Sequence, residues 1–495
     1  MADPFYETGW LIPLGLLVVV LPLPCYFLYN IFLHPLRSYA GPWYTKASLI
    51  WYLYHSFVGD YHIATLELHL KYGPVVRVAP NELAYTDPQA WKDIYGHRSG
   101  QPENVKDPSR ALDDNPDHPS ILFAGREEHS KVRRLLSNAF SDKAIREQEH
   151  IISSYVDLMI RGLHQICEEP VDMTKWYNFT TFDIIGHLAF AESFDCLTSS
   201  SYHPWIEIIF STFKFVTWLR ALKRLAPGFS SFVRRLIPKR IIREHESNFA
   251  LSKEKLLRRK ERRPEYTDFM THLLLAEEKG QMPMESVLSN APVLVVAGSE
   301  TTATLLSGAT FYLSQHPRVY KLLVEEIRSA FQGPSEITVA STGGLKYLLA
   351  VLDEALRLYP PLVNNHTRLT PAGGAMIAGR WVPPNTMVGI NQYSAFRSPD
   401  NFHRSEEFVP ERSLNTDDPQ WARDKRQVIQ PFSFGPRNCI GRNLAYVEMR
   451  LIMSRLLFEF DLELQKESGD WLNQKVFASY EKKPLFVKLC PVRRQ

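Results

Sequence analysis

Phe432-Ser-Phe-Gly435-Pro-Arg437-Asn-Cys439-Ile-Gly441 stands just ahead of an apolar-periodic run in which Leu444, Val447, Leu451 and Phe458 share one helical face. That periodicity predicts a last helix from about residue 440. Cys439 therefore sits at a helix N-terminus, where unpaired N–H groups and the helix dipole stabilise a thiolate. Gly435 and Gly441 leave room for the backbone to approach a flat ligand. Arg437 offers a fork that fits a carboxylate. Against this stands the plainer reading of a lone cysteine as a small buried hydrophobe. The chain has five cysteines (Cys25, Cys167, Cys196, Cys439, Cys490), none in a C-x-x-C pair. That is no disulfide framework, and it suits a reducing compartment.

Upstream, residues 397–438 form a long irregular stretch rich in proline, a length that usually signals function. Before it, residues 363–392 hold short strand-like pieces broken by Gly and Pro. Leu345, Leu348, Leu349, Leu352, Ala355, Leu356 and Tyr359 recur at helical spacing and end at Pro360-Pro361. On that helix Glu354 and Arg357 lie three apart and off the apolar stripe, which by itself reads as a surface ion pair. Residues 293–312 are apolar apart from Ser, Thr, Gly and one carboxylate, Glu300. A buried core helix is the plain reading. The acid beside Thr301 and Thr302 is a functional candidate and requires a partner or water. Val75-Val76-Arg77-Val78-Ala79 and Leu83-Ala84-Tyr85 read as a hairpin about Pro80-Asn81-Glu82. The fold class is thus mainly α with a small β part.

Taken together, these strings resemble the cytochrome P-450 family. The cysteine segment fits F-x-x-G-x-R-x-C-x-G at every specified position. Ala297-Gly298-Ser299-Glu300-Thr301-Thr302 fits A/G-G-x-D/E-T-T, Glu354-Ala-Leu-Arg357 fits E-x-x-R, and Pro410-Glu411-Arg412 fits P-E-R. The resemblance implies a cytochrome P-450 fold preceded by one transmembrane helix. It implies haem b with Cys439 as axial iron ligand, Arg437 on a propionate, Phe432 beside the sulfur, and Gly441 in the cofactor loop. A thiolate ligand favours O–O cleavage. Glu300 and Thr301 would relay protons to dioxygen, with Gly298 opening the helix. Glu354, Arg357 and Arg412 would form a buried structural triad, against the surface reading above. Arg133, in His129-x-x-x-Arg133 where the family often has W-x-x-x-R, and Arg368 would also meet propionates.

The implied activity is a monooxygenase, an oxidoreductase acting on paired donors with incorporation of one oxygen atom. Its partners would be a hydrophobic small molecule, O2, a membrane, and an NADPH-cytochrome reductase docking near Lys131, Arg133, Arg134 and Arg442. An isomerase or dehydratase working without reductase, and a haem sensor, are the rivals; the Glu300-Thr301 pair favours oxygen chemistry. The strings from His129 to Phe140 and Asn391 to Pro399 resemble filamentous-fungal biosynthetic members, which points to a terpenoid or polyketide substrate. The pocket walls would come from residues 101–125, 296–301, 362–366 and 477–479.

Residues 10–33 carry no charge. As a helix they would span ~36 Å, enough for a bilayer. Acids precede them and Arg37 and Lys46 follow, so the body should face the cytosol. The expected organisation is residues 1–9 as a lumenal N-terminus, 10–33 as the anchor, 34–45 as a proline-rich hinge, and 46–495 as the haem-binding domain, at the endoplasmic reticulum membrane. The net charge is +3, but residues 220–263 hold fifteen Lys/Arg and four Asp/Glu. This is a solvated helix face or, with the Phe-containing turn at 225–232, a membrane-facing one. No nucleic-acid motif accompanies it. The sequons at Asn178 and Asn365 would stay unmodified in a cytosolic body.

Overall fold

The computed structural model describes residues 22–98, 100, 102–107, 117–225, 239–262, 266–364, 367–415 and 417–492. Among them are ten helices of twelve residues or more: α1 (Tyr61–Tyr72), α2 (Arg126–Ser137), α3 (Glu149–Ile166), α4 (Met173–Phe190), α5 (Pro204–Leu225), α6 (Lys239–Arg262), α7 (Met284–Gln315), α8 (Pro317–Ala330), α9 (Lys346–Leu358) and α10 (Arg442–Glu459). The expected mainly helical architecture with a small sheet component is what the chain adopts.

The strands are β1 (Val75–Ala79), β2 (Glu82–Tyr85), β3 (Val105–Lys106), β4 (Val171–Asp172), β5 (Arg368–Leu369), β6 (Ala375–Ile377), β7 (Arg380–Val382), β8 (Met387–Ile390), β9 (Phe460–Leu464) and β10 (Phe486–Pro491). The largest sheet has the order β1-β2-β8-β5-β3. The expected hairpin is present, but its turn is Pro80-Asn81, and Glu82 already pairs with Ala79 across an irregularity in register. The main core joins α3, α4, α7, α9 and α10, and a second cluster backs the large sheet.

Helix α7 is buried along most of its length. Its Ser and Thr hydroxyls are tolerated there because they bond one turn back: Ser299 to Val295 O at 2.6 Å and Ser307 to Ala303 O at 2.8 Å. Pro292 lies eight residues inside the helix. Gly298 is a close contact between α7 and α4. A Cβ there would come within 2.6 Å of Ile185 Cδ1, so the missing side chain lets α4 pack closely.

The irregular stretch after β8 is held by one buried carboxylate. Glu354 accepts from Arg357 Nε at 2.9 Å and Nη2 at 2.8 Å, from Arg412 Nε at 3.0 Å, and from the Val409 amide at 2.9 Å. Arg357 also donates to the carbonyls of Phe396, Ser405 and Glu407. Arg412 donates to the carbonyls of His403 and Arg404 and to Asp424 Oδ2 at 2.7 Å. All three side chains are at most 1% exposed. The surface ion pair read from the helical wheel is therefore wrong, and the buried triad is right. A single-face wheel assumes one partner, whereas α9 is covered on this side by the 396–409 segment.

Residues 1–21 and 226–238 lie outside the described residues, and with them the first half of the predicted anchor and nearly all of the Phe-containing turn. Residues 22–33 form a short helix, Pro22–Leu28, continued as a π turn, Tyr29–Leu33. Among the described residues no helix is long and apolar enough to cross a membrane. The hinge is docked on the body. Buried Arg77 donates to Asn30 O at 2.8 Å, Tyr39 donates to Trp381 O at 2.8 Å, and a Cβ on Gly41 would meet Arg77 O. Asn178 is buried within α4, so its sequon is not a surface site.

Replacing Glu354 by Ala leaves buried Arg357 without a carboxylate, while Arg412 keeps Asp424. Such an uncompensated buried charge should cost about 3–5 kcal/mol. The Glu354→Ala variant should unfold at correspondingly lower urea; a midpoint equal to that of the parent chain would refute the role given to this carboxylate.

Candidate active site

Cys439 lies two residues before the N-cap of α10, in a turn closed by its own amide donating to Phe432 O at 2.8 Å. Gly435 in this turn has φ +76, and a Cβ there would collide with the Tyr95 carbonyl. That is where glycine is required. Gly441 sits so close to the sulfur that an added Cβ would rest 3.9 Å from Sγ. The Cys439 side chain is exposed. Yet protein surrounds it densely enough that burial pushes its thiol pKa up, against a Gly441 backbone hydrogen bond and the charges of Arg133 and Arg442. Exposure and dense surroundings together mean that the sulfur faces an internal space. In helix α7 Ala297 is likewise exposed and Thr301 partly so, although Ser299, Glu300 and Thr302 on the same helix are buried.

Cations gather beside this loop. Lys106 on β3 and Arg368 on β5 stand directly opposite each other in the antiparallel pair. Like charges in that position repel. Arg437, Arg368 and His129 line one cavity of about 230 Å³ with Glu103, Asn104 and Arg126. Burial, then Arg437 and Arg368, bring Lys106 down to about 7. Burial, then Arg437, Lys106, Arg133 and Arg368, bring His129 down to about 3, so the imidazole is neutral. Arg437 donates from Nε to Glu103 at 3.0 Å and from Nη1 to Ala124 O at 2.9 Å. Glu103 and buried Asp107, which accepts from Thr367 beside Arg368, offset only part of this charge. The arrangement fits a flat group bearing carboxylates on one edge, with a metal available to Cys439.

Most of the predicted residues converge here. Arg368 and Arg437 do so directly. Arg133 instead grips the cysteine turn, with Nη1 on Asn438 O and Nη2 on Asn438 Oδ1, each at 2.6 Å. Its fork is thereby committed to the loop. The Phe432 ring lies against Tyr446, centroids 5.3 Å apart, and near Arg442; its hydrogen bond to Cys439 is through backbone. Lys106 and Glu103 were missed, because a two-residue strand leaves no periodic signal.

Glu300 and Thr301 do not bond to each other. Thr301 Oγ1 donates to Ala297 O at 2.8 Å. Glu300 is buried and ion-paired with Lys482. Of the expected pocket walls, Ser479 bonds Glu300, while the Phe477 ring stacks edge-on with Trp218 and crowds Gly59.

Comparison with known proteins adds independent findings. The family described as "Cytochrome P450" matches residues 42–489. Cytochrome P450 monooxygenase astA of Talaromyces wortmannii is 46% identical, covering 94% of each chain. Cytochrome P450 monooxygenase aclL of Aspergillus oryzae is 44% identical, covering 94% of this chain and 95% of that one. The trichothecene C-15 hydroxylase of Fusarium sporotrichioides is 41% identical, covering 94% of each.

Gly435→Ala should strain the cysteine turn by about 1–3 kcal/mol. Its expected outcome is a several-fold lower cofactor content per purified chain, read from the Soret-to-protein absorbance ratio. Full content would show that the turn yields without cost.

Proposed function

The chain belongs to the cytochrome P450 family, and on that premise we propose that it is a haem-thiolate monooxygenase of secondary metabolism. It places one atom of dioxygen in a hydrophobic small molecule, a terpenoid or polyketide, and releases the other as water. The observation that carries this reading is Cys439, facing an internal space beside a cluster in which Lys106, Arg126, Arg368 and Arg437 outnumber the acids Glu103 and Asp107.

Haem bound here supplies oxygen activation, with the thiolate pushing electron density toward the iron. The residues of this chain do the rest. Cys439 ligates the metal. Arg368 and Arg437, with Lys106, take the propionates and relieve their mutual repulsion. Arg133 holds Asn438 and so fixes the turn that aims the sulfur. Gly435 lets that turn close against Tyr95. The apolar surface of α7 around Ala297 keeps the reacting side dry. Thr301 is the hydroxyl through which a proton leaves the helix, and Glu300 is the acid behind it.

Electrons come from NADPH through a membrane-bound reductase. Its docking face is the cationic surface of Arg134, Arg442 and Lys131, the first two of them exposed. Salt should weaken that encounter. Residues 10–33 anchor the chain in the endoplasmic reticulum membrane with its body toward the cytosol. Their uncharged length supports this, as does the docked hinge that follows.

The dithionite-reduced holoprotein should shift its Soret band strongly to the red on adding carbon monoxide, and Cys439→Ser should lose that shift. A shift unchanged in the variant would remove Cys439 from the iron. Deleting residues 1–33 should move the protein from the membrane pellet toward the supernatant with the Soret band intact. Full retention in the pellet would assign membrane binding to another surface.

A further inference from the structure

Glu300 has one carboxylate oxygen committed and one open. Oε1 accepts from Lys482 Nζ at 2.5 Å, from Ser479 Oγ at 2.9 Å and from Thr304 Oγ1 at 3.2 Å. Lys482 also donates to Thr304 Oγ1 at 2.7 Å. Both side chains of the ion pair are only 5% exposed. Burial lowers the Lys482 pKa, and Glu300 opposes that shift. Oε2 is buried and has no protein partner.

The pair borders a cavity of about 220 Å³ lined also by Asn178, Tyr202, Lys214 and Glu481. Asn178 donates to Tyr202 OH at 3.0 Å, while its Oδ1 is buried without a protein partner. Two such acceptors on one polar cavity call for water, and the space far exceeds the roughly 10–15 Å³ that one molecule needs. Lys214 and Glu481, 42% and 54% exposed, bring the cavity to the surface.

Glu300 and Thr301 are consecutive on α7, so their side chains diverge by roughly 100°. Every bond of Glu300 is on the Thr304 and C-terminal side. Something must hold the acid there while keeping it able to serve Thr301. We propose that Lys482 is the positioning residue for proton delivery: it pins Glu300 by Oε1, leaving Oε2 to take protons from the water of the Asn178–Tyr202 cavity and release them toward Thr301. Each turnover consumes one C–H bond of the substrate, dioxygen, two electrons from NADPH through the reductase and two protons, and yields the hydroxylated product and one water. Each proton leaves cavity water, resides on Glu300 Oε2, departs on the Thr301 side, and is replaced from solvent past Lys214 and Glu481. No other reactant is needed.

This rests on the haem-thiolate reading and adds to it a residue and a route. The test uses haem-loaded full-length chain with NADPH-cytochrome reductase in phospholipid vesicles. The probe is dioxygen, and the readouts are NADPH-driven oxygen consumption in H2O and in D2O. Lys482→Met and Asn178→Leu should keep the carbon monoxide band, lose about tenfold or more in rate, and show a larger solvent isotope effect. Lys482→Arg should recover most of both. Wild-type rate and isotope effect in Lys482→Met and Asn178→Leu would overturn the proposal. So would a loss that is equal in both solvents and not rescued by Arg, which marks a purely structural role. If Lys482→Met does not fold, Asn178→Leu decides alone. A wild-type protein without the carbon monoxide band would overturn the underlying reading instead.

Discussion

A carboxylate shared by two fully buried arginines holds the part of this protein on which the rest depends. Glu354 alone would be a costly group to bury. With Arg357, Arg412 and the Val409 amide around it, its oxygens are satisfied. The arginines spend their remaining donors on five backbone carbonyls between residues 396 and 407. Those carbonyls belong to irregular chain, which has no ladder or helix to satisfy them. The network thus substitutes for secondary structure over the stretch that leads to the cysteine turn.

The turn inherits that rigidity and adds constraints of its own. Gly435 passes so near Tyr95 that a side chain is excluded. Arg133 clasps Asn438 from α2. Between them Cys439 has little freedom to move. The electrostatics next to it are the reverse of self-contained. Lys106 faces Arg368 across a strand pair, and His129 is kept neutral by burial and then by the cations around it. Such repulsion is tolerable in a folded chain whose site is completed by an anionic group.

On the other side, helix α7 divides its work between two faces. Thr301 folds back on Ala297, in the part of the helix that stays open. Glu300 looks the other way, into a polar cavity lined in part by the C-terminal segment. The acid and the alcohol are adjacent in sequence and separated in space. Water and Lys482 therefore matter as much as the two residues themselves.

How much of this was legible beforehand follows from the range of each interaction. Local periodicity located α9, α10 and the first hairpin, since each records its buried face in its own residues, and an apolar run located the middle of α7. The spacing of the cysteine segment, of Glu300-Thr301 and of E-x-x-R carried the family, because these motifs are contiguous in the chain. Contacts between distant segments were not legible. The wheel put Glu354 and Arg357 on the surface because the segment that covers them lies some forty to fifty residues away. Gly298 read as an opening for oxygen, and its contact with Ile185 on another helix left no mark in the sequence. Arg133 read as a propionate ligand, and it holds the cysteine turn. Lys106 and Lys482 belong to no motif and take on meaning only where strands or the C-terminal segment bring them to the site. By itself, then, the sequence determined the fold class, the family and which cysteine to propose as the ligand. Only the tertiary structure decided which charges meet and which way each acid faces, because burial and electrostatic pairing depend on neighbours that the order of residues does not place side by side.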